Sequence, residues 1–576
     1  VTTPSERWPF AVFALCVAGH ALLLLLLAYP FPQGKYADEH VYLEMADNLW
    51  HEHAYGSRVS GSYPPGYPML IAPAFAIDRN APRYTAIRVV HVGVFAAASL
   101  TLLPAFGHWF GRRRRWLLLG GLQLLGGVVH YGKTTQTEPL FTALLVAVLG
   151  LAWSAWHRPS AGRWVAVGAM CGLAVATRRT ALVLPVSFAL LAAVDVVGGW
   201  RKGRSPNPTS ALGWLVGFAV GLVPEMIAMG MSEGAIDPYK GKTAGSHLQA
   251  GTAAFESRAN LWLATQTTAR HLAWLAWSTA GAPLLLVGAL CRRDRPPRAD
   301  ARSAALVLLV GLGLTAMTVL HMIRYRFGRP EVEGWDLYPR YVDPVEPLLV
   351  AAALIICGWL IREGVRFGAG RALALGAAGW ALLAVAGKFE RTRGGRLPRL
   401  ELRAELPLPD ALVPWLFLLV GAVVLGGWTL LAARDRLRVG HVLLGAIAIS
   451  WLVSAHHPWL RVTDPKELDP PPVLELHALV QSPSAPLAVV VVQETGWQRR
   501  KYKRRYYAPA FKSDHRVHFI KRGEELAWVR EHPTGFVITL ARDPQPRTLH
   551  RRGRGGRWIV WEAPLEEPDE PDEPDG

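Results

Sequence analysis

The chain is 576 residues long, carries a formal net charge of +18, and is 51% hydrophobic against 18% charged. Its apolar residues come in blocks of roughly twenty, the length that crosses a bilayer, which excludes an ordinary cytosolic enzyme, a nucleic-acid module and a disordered tail protein. Lys and Arg sit in short clusters between those blocks, the distribution of membrane-loop charge rather than of a nucleic-acid footprint.

The first block, Trp8 to Tyr29, is longer than a signal-peptide core and lacks a small-residue cleavage site, so it predicts a signal anchor. Further blocks follow at 86–110, 116–131, 139–157, 164–177, 180–198, 211–231, 271–291, 303–323, 341–361, 371–387, 411–432 and 441–455. That makes about thirteen spans, two of them short. Basic clusters at Arg112–Arg115, Arg201–Arg204, Arg292–Arg298, Arg362–Arg371 and Arg434–Arg438 all fall on one side, which that count makes cytoplasmic. The basic loop Lys388–Arg403 falls on the other side. The polar stretches 30–83 and 232–270, and everything after about His456, then lie outside. Cys16, Cys171, Cys291 and Cys357 lie within or at the end of apolar segments and imply neither a disulfide framework nor a zinc site.

The first outer loop carries the densest chemistry. Asp38 and Glu39 follow the first span directly, and Tyr42, Met45 and Leu49 then recur at helical spacing beside Trp50, predicting a short amphipathic helix at the membrane interface. The carboxylate pair reads either as the usual acidic start of a helix or as a general base at the boundary of lipid and water. SYPPGYPMLIAP (62–73) predicts a turn and a half-buried helix too short to span. His40, His51 and His53 have no clean metal-ligand spacing.

Lys133 to Glu138 fill a short outer turn, and Pro139 opens the next helix at a favoured position. Glu138 there is either solvated or a site residue. Arg178 and Arg179 interrupt two apolar runs. They either snorkel to headgroups or clamp a lipid phosphate, whose oxygens suit guanidinium forks. Arg340 and Tyr341 stand at the mouth of the span that follows PRYVDPVEP. There is no P-loop, GxGxxG or G-x-S-x-G motif.

After His456, strand-like runs at 486–496, 534–543 and 557–564 and a helical stretch at 523–532 predict a compact α/β domain. The run RRKYKRRYY (499–507) is either a solvated basic face or a binder of an anionic polymer or headgroup. The terminal EEPDEPDEPDG has no apolar content and predicts disorder.

In combination, the ADEH loop after the first span, YPPGYPML, TEPLF, ATRRTALVLPV, PRYVDPVEP and a C-terminal outer domain resemble the GT-C superfamily of integral membrane glycosyltransferases. The resemblance is to the relatives of protein O-mannosyltransferases and lipid A aminoarabinose transferases. It implies a mostly α membrane fold of about 13 transmembrane helices, with a small extracytoplasmic α/β domain. The organisation expected is a transmembrane catalytic module over 1–455 with the first outer loop at 30–83, an outer domain over 456–562, and an acidic tail over 563–576. The resemblance also implies Asp38 as catalytic base, with Glu39, Lys133, Glu138, Arg178, Arg179, Arg340 and Tyr341 binding substrate. Ser62 and Tyr63 stand where the lipid A transferases carry Glu-Lys before the paired prolines, so neither sugar nor acceptor follows.

Location constrains the donor: nucleotide sugars are cytoplasmic, whereas the candidate base faces outside, so the sugar arrives on a polyprenyl phosphate. Its leaving phosphate requires cationic groups more than a strong acid. Glu39 and Glu138 are the candidates to hold the acceptor or a divalent metal. The expectation is an inverting, polyprenyl-phosphate-dependent transferase of the cytoplasmic membrane acting at its outer face on an envelope lipid, glycan or protein, without nucleic acid. The alternative is a polytopic transporter or flippase.

Overall fold

The computed structural model describes residues 4–27, 37–51, 53, 55, 63–77, 80–200, 208–231, 258–279, 281–292, 294–327, 342–364, 439–455, 487–491, 517–521, 523–540, 549–555 and 558–562. Helices stand at every expected span except 371–387 and 411–432, which lie outside the described residues. In chain order they are α1 (Pro4–Leu27), α2 (Ala37–His51), α3 (Gly66–Ile71, continued by a 3-10 turn Ala72–Ala76), α4 (Asn80–Leu100), α5 (Leu103–Trp109), α6 (Arg112–Gln123), α7 (Gly126–Gly132) and α8 (Glu138–His157). There follow α9 (Ala161–Thr177), a 3-10 turn Arg179–Leu182, α10 (Val183–Trp200), α11 (Pro208–Gly221), α12 (Val223–Met231), α13 (Arg258–Ser278), α14 (Ala282–Leu290), α15 (Arg298–Phe327), α16 (Glu346–Arg362) and α17 (Val439–Ala455). Among the described residues, 6 helices are long and apolar enough to cross a membrane, or up to 7 if the pair α4–α5, bent by 45°, counts as one.

Burial separates these helices into two classes. α8 and α16 are packed on nearly all sides and form the centre of the bundle. α10, α11 and α12 instead present Val186, Leu190, Val194, Leu215, Val216 and Met226 outward. A row of exposed large apolar side chains this long fits lipid and not water. The bundle is therefore an integral membrane structure.

Besides the division of 211–231 between α11 and α12 at Leu222, three expected spans are broken, each for an identifiable reason. The block 116–131 divides at Leu124 and Leu125, where α17 docks: the Trp451 indole donates to the Leu124 carbonyl (2.7 Å), and the Gly127 amide donates to Ser450 Oγ (3.1 Å). Backbone groups freed from a helix inside an apolar bundle require such partners. A Cβ on Gly126 would lie 2.5 Å from the Ser450 carbonyl oxygen, so the approach depends on glycine there. The block 271–291 divides at Gly281, whose φ of 79° caps α14 in a conformation that L side chains resist. The block 86–110 bends at Thr101, against which Gly150 of α8 is packed.

α9 and α11 meet along glycines on both sides. Gly168 and Gly172 of α9 face the backbone of α11, while Gly213, Gly217 and Gly221 of α11 face the backbone of α9. Small residues at four-residue spacing let helix backbones approach closely in a membrane. Gly217→Val would drive a side chain into the Val165 carbonyl. It is expected to lower the melting temperature in detergent, at a cost of about 1–3 kcal/mol or more for overpacking. Gly162→Ala, on the same α9 but facing open space, should leave the melting temperature within error or raise it slightly.

Beyond α17 the described residues form a five-stranded sheet in the order β2-β1-β3-β5-β4. Its strands are β1 (Leu487–Val491), β2 (Val517–Lys521), β3 (Phe536–Leu540), β4 (His550–Gly555) and β5 (Trp558–Glu562), and α18 (Glu525–Glu531) precedes β3. β1 runs parallel to β2 and β3, with Leu487 opposite Val517 and Phe536, while β5 is antiparallel to β3 and β4. Ile520, Trp528, Val529, Val537, Leu549, Ile559 and Trp561 close its core. β4, of sequence HRRGRG, has no apolar pattern to announce it. It pairs through its backbone as an edge strand, where charged side chains are usual. The run 499–507, the loop 388–403 and the tail 563–576 lie outside the described residues.

Candidate active site

The sequence places a helix at Asp38 because an acidic start and the apolar positions of Tyr42 and Met45 favour one. α2 forms there, with Tyr42 and Met45 buried and Trp50 exposed. The side chains of Asp38 and Glu39 lie outside the described residues, but position 38 stands one turn before Tyr42. The Tyr42 ring meets Tyr63 and Tyr67 edge-on, at centroid distances of 5.2 and 5.6 Å. α2 thereby seats on the segment 63–77. That segment seats in turn on the end of α9, because a Cβ on Gly66 would lie 2.7 Å from Thr177 Oγ1 and 3.0 Å from the Ala176 carbonyl oxygen. An adjoining side of α2 shares an apolar cluster with α12, through Val41, Met45, Tyr55 and Ala228.

α9 ends at Arg178, which is extended (φ −155°, ψ 126°), before the chain re-enters a helical turn at Arg179. This one-residue break sends two consecutive guanidiniums in different directions. Arg178 donates from Nη1 to Glu138 Oε1 at 2.8 Å, with both side chains buried. Arg179 meets Glu225 of α12 with two bonds, 2.7 and 3.0 Å. A third arrangement thus stands beside the two that the sequence left open: each arginine pairs with a carboxylate of the protein, which offsets the cost of burying it.

Glu138 opens α8, where the helix dipole favours a negative charge. The turn before it is held on both sides. Tyr131 donates its hydroxyl to Asp343 Oδ2 at 2.6 Å, and the Trp274 indole donates to Asp343 Oδ1 at 2.7 Å. Gly132 packs on Leu24, and its carbonyl oxygen lies 3.0 Å from His91 Nδ1. Lys133 follows. Burial and, secondarily, the nearby Arg88 charge lower its pKa to about 8. An ordinary lysine titrates at about 10.4. Between those values the unfolded chain holds a proton that the folded chain has released, so stability should rise with pH across that window. Lys133→Met is expected to flatten this rise, read as melting temperature from pH 7 to pH 10.

The structure thus brings Lys133, Glu138, Arg178 and the backbone of α2 around one corner, and sets Arg179 beside it, paired with Glu225 of α12. Arg340 and Tyr341 lie outside the described residues; Asp343, three residues on from Arg340, is anchored in the same corner. His51 pairs with Asp47 within α2. Among the described residues no three His, Cys, Asp or Glu side chains converge as metal ligands, and Glu138 is committed to Arg178.

Sequence reasoning missed Glu225, Asp343 and His91. A signal existed for each: Glu225 is a lone carboxylate in an apolar run, which calls for a cation. Asp343 lies inside the PRYVDPVEP stretch, and His91 inside an apolar block.

A helical bundle followed by a C-terminal sheet is a fold that this chain shares with solved structures. The likeness is to ArnT from Cupriavidus metallidurans. The structure of ArnT bound to undecaprenyl phosphate matches with a TM-score of 0.51 at 14% identity, covering 97% of this chain and 99% of that one. The apo ArnT structure matches with a TM-score of 0.50 at 15% identity, covering 96% and 99%. At these identities the likeness concerns the fold. No protein-family model matches the chain, and no curated protein matches it by sequence.

Proposed function

We propose that this protein is an inverting glycosyltransferase that moves a sugar from a polyprenyl phosphate to an acceptor at the outer face of the cytoplasmic membrane. The acceptor offers a hydroxyl or phosphate of an envelope lipid, glycan or protein. The observation that carries the reading is the corner itself: a helix beginning with two carboxylates, joined through the segment 63–77 to the end of α9 beside the Arg178–Glu138 pair and through His91 to the turn that carries Lys133, in a fold shared with ArnT, whose structure holds undecaprenyl phosphate. Residues 1–455 form the catalytic module and 456–562 an outer domain. The sidedness follows from the basic clusters.

In the reaction, Asp38 takes the proton of the acceptor hydroxyl. The acceptor oxygen attacks the anomeric carbon on the face opposite the phosphate, the carbon–oxygen bond to phosphate breaks, and the lipid phosphate departs with the electron pair. Glu39 positions the acceptor. Lys133 and Arg340 stabilise the leaving phosphate, and Tyr341 borders it. Arg178 and Arg179 add cationic character while fixing, through Glu138 and Glu225, the elements that carry the site.

The test is incubation of the full chain in nanodiscs with a set of polyprenyl-phosphate sugars and an envelope extract of lipids, glycans and proteins as acceptor, scoring release of polyprenyl phosphate. Time-dependent release with at least one sugar is expected. No release with any of them, together with substrate-dependent transport in proteoliposomes, would favour the transporter reading instead.

A further inference from the structure

His91 lies on α4, is buried, and uses both ring nitrogens. Nδ1 is 3.0 Å from the Gly132 carbonyl oxygen, and Nε2 is 3.1 Å from the Tyr67 hydroxyl oxygen. A carbonyl only accepts, so Nδ1 carries the proton. In the neutral ring Nε2 is then an acceptor, and the Tyr67 hydroxyl donates to it. The two groups it joins belong to different arms of the corner. Tyr67 sits under Tyr42, one turn from Asp38 on α2. Gly132 immediately precedes Lys133. The contacts therefore run without interruption from α2 through Tyr42, Tyr67, His91 and Gly132 to the turn that carries Lys133 and Glu138. Gly132 is gripped on its other side by Leu24, with His20 Nε2 3.6 Å from where its Cβ would stand.

We propose that His91 is a positioning residue that sets the spacing between the base-bearing first outer loop and the Lys133 turn. It touches neither donor nor acceptor; it holds Tyr67 and Gly132, which carry the segments that do. Its catalytic consequence rests on the transferase reading above, whereas its effect on the loop does not.

The test uses His91→Asn, Tyr67→Phe and the double variant, in the full chain in nanodiscs. Asn keeps a donor near the Nδ1 position for Gly132 but withdraws the acceptor from Tyr67. Tyr67→Phe removes the hydroxyl alone. Without any substrate present, amide hydrogen exchange over 63–77 is expected to quicken by about tenfold in each single variant, while α8 and α16 keep their protection. The double variant should exchange no faster than the singles, because both changes break one bond. Turnover should fall by about 10- to 100-fold with donor KM little changed, since misplacement of about an ångström is felt in the chemical step. Unchanged exchange over 63–77 in both single variants, or fully additive effects in the double, would overturn the proposal. Quickened, non-additive exchange in a protein that transfers no sugar would uphold the clamp and fail the transferase reading alone.

Discussion

Asp38→Asn is expected to lower turnover by about 10²–10⁴-fold, the usual worth of a general base, while donor binding survives. Asn keeps the size and much of the hydrogen bonding of Asp but cannot take the acceptor proton. α2 would still form, because its helix rests on Tyr42 and Met45 packing against 63–77 and α12. The melting temperature should therefore move little. Glu39→Gln should cost less, as a group that orients the acceptor. The assay is sugar transfer from a polyprenyl-phosphate donor, with expression level and thermal melting followed in parallel. Near-native turnover in Asp38→Asn would move the base to Glu39.

Arg178→Met is expected to destabilise the fold by about 3–5 kcal/mol, because it leaves the Glu138 carboxylate buried without its cation. Glu138→Gln leaves the opposite charge stranded and should cost a similar amount. The double variant Glu138→Gln, Arg178→Met buries no unpaired charge and should recover most of the loss, with an interaction energy large enough to read as non-additivity. Arg179→Met should cost less, because its pair with Glu225 is partly exposed, with side-chain exposures of 27% and 12%. Denaturation midpoints in detergent measure all four variants. Donor affinity in the double variant then separates the two uses of Arg178. Restored stability with lost affinity gives the guanidinium to the donor as well, and restored affinity leaves it a strut.

The parts legible in the sequence were those written in local composition. Hydropathy alone located α1, α8, α10, α15 and α16, because each is a long apolar run. The helix at 37–51 and the turn at 133–137 were legible from the spacing of Tyr42 and Met45 and from Pro139. The Arg178–Arg179 corner was legible as an anomaly, two charges between apolar runs, but not its resolution. Arg179 pairs with Glu225, 46 positions away, and nothing local selects that carboxylate over another. The break at Leu124–Leu125 was invisible for a related reason. Both residues are apolar, so a hydropathy reading runs straight through, and the cause sits on α17. β4 escaped because backbone pairing, not side-chain pattern, recruits it to the sheet. The tie between Tyr67 and Gly132 through His91 depends on three elements meeting, which no window of sequence contains.

The docking of α17 into the break between α6 and α7 also orders biosynthesis. The Leu124 carbonyl and the Gly127 amide find their partners 327 and 323 positions later. While the ribosome is still translating the intervening chain, that break stands in the apolar bundle with polar groups that neither lipid nor its own helices can satisfy. Assembly of the bundle therefore cannot close in the order in which its helices emerge, and the early helices must wait for the last to arrive. A nascent chain halted before residue 439 would present a recognisable defect, open to a membrane chaperone or a quality-control protease until the missing helix seals it.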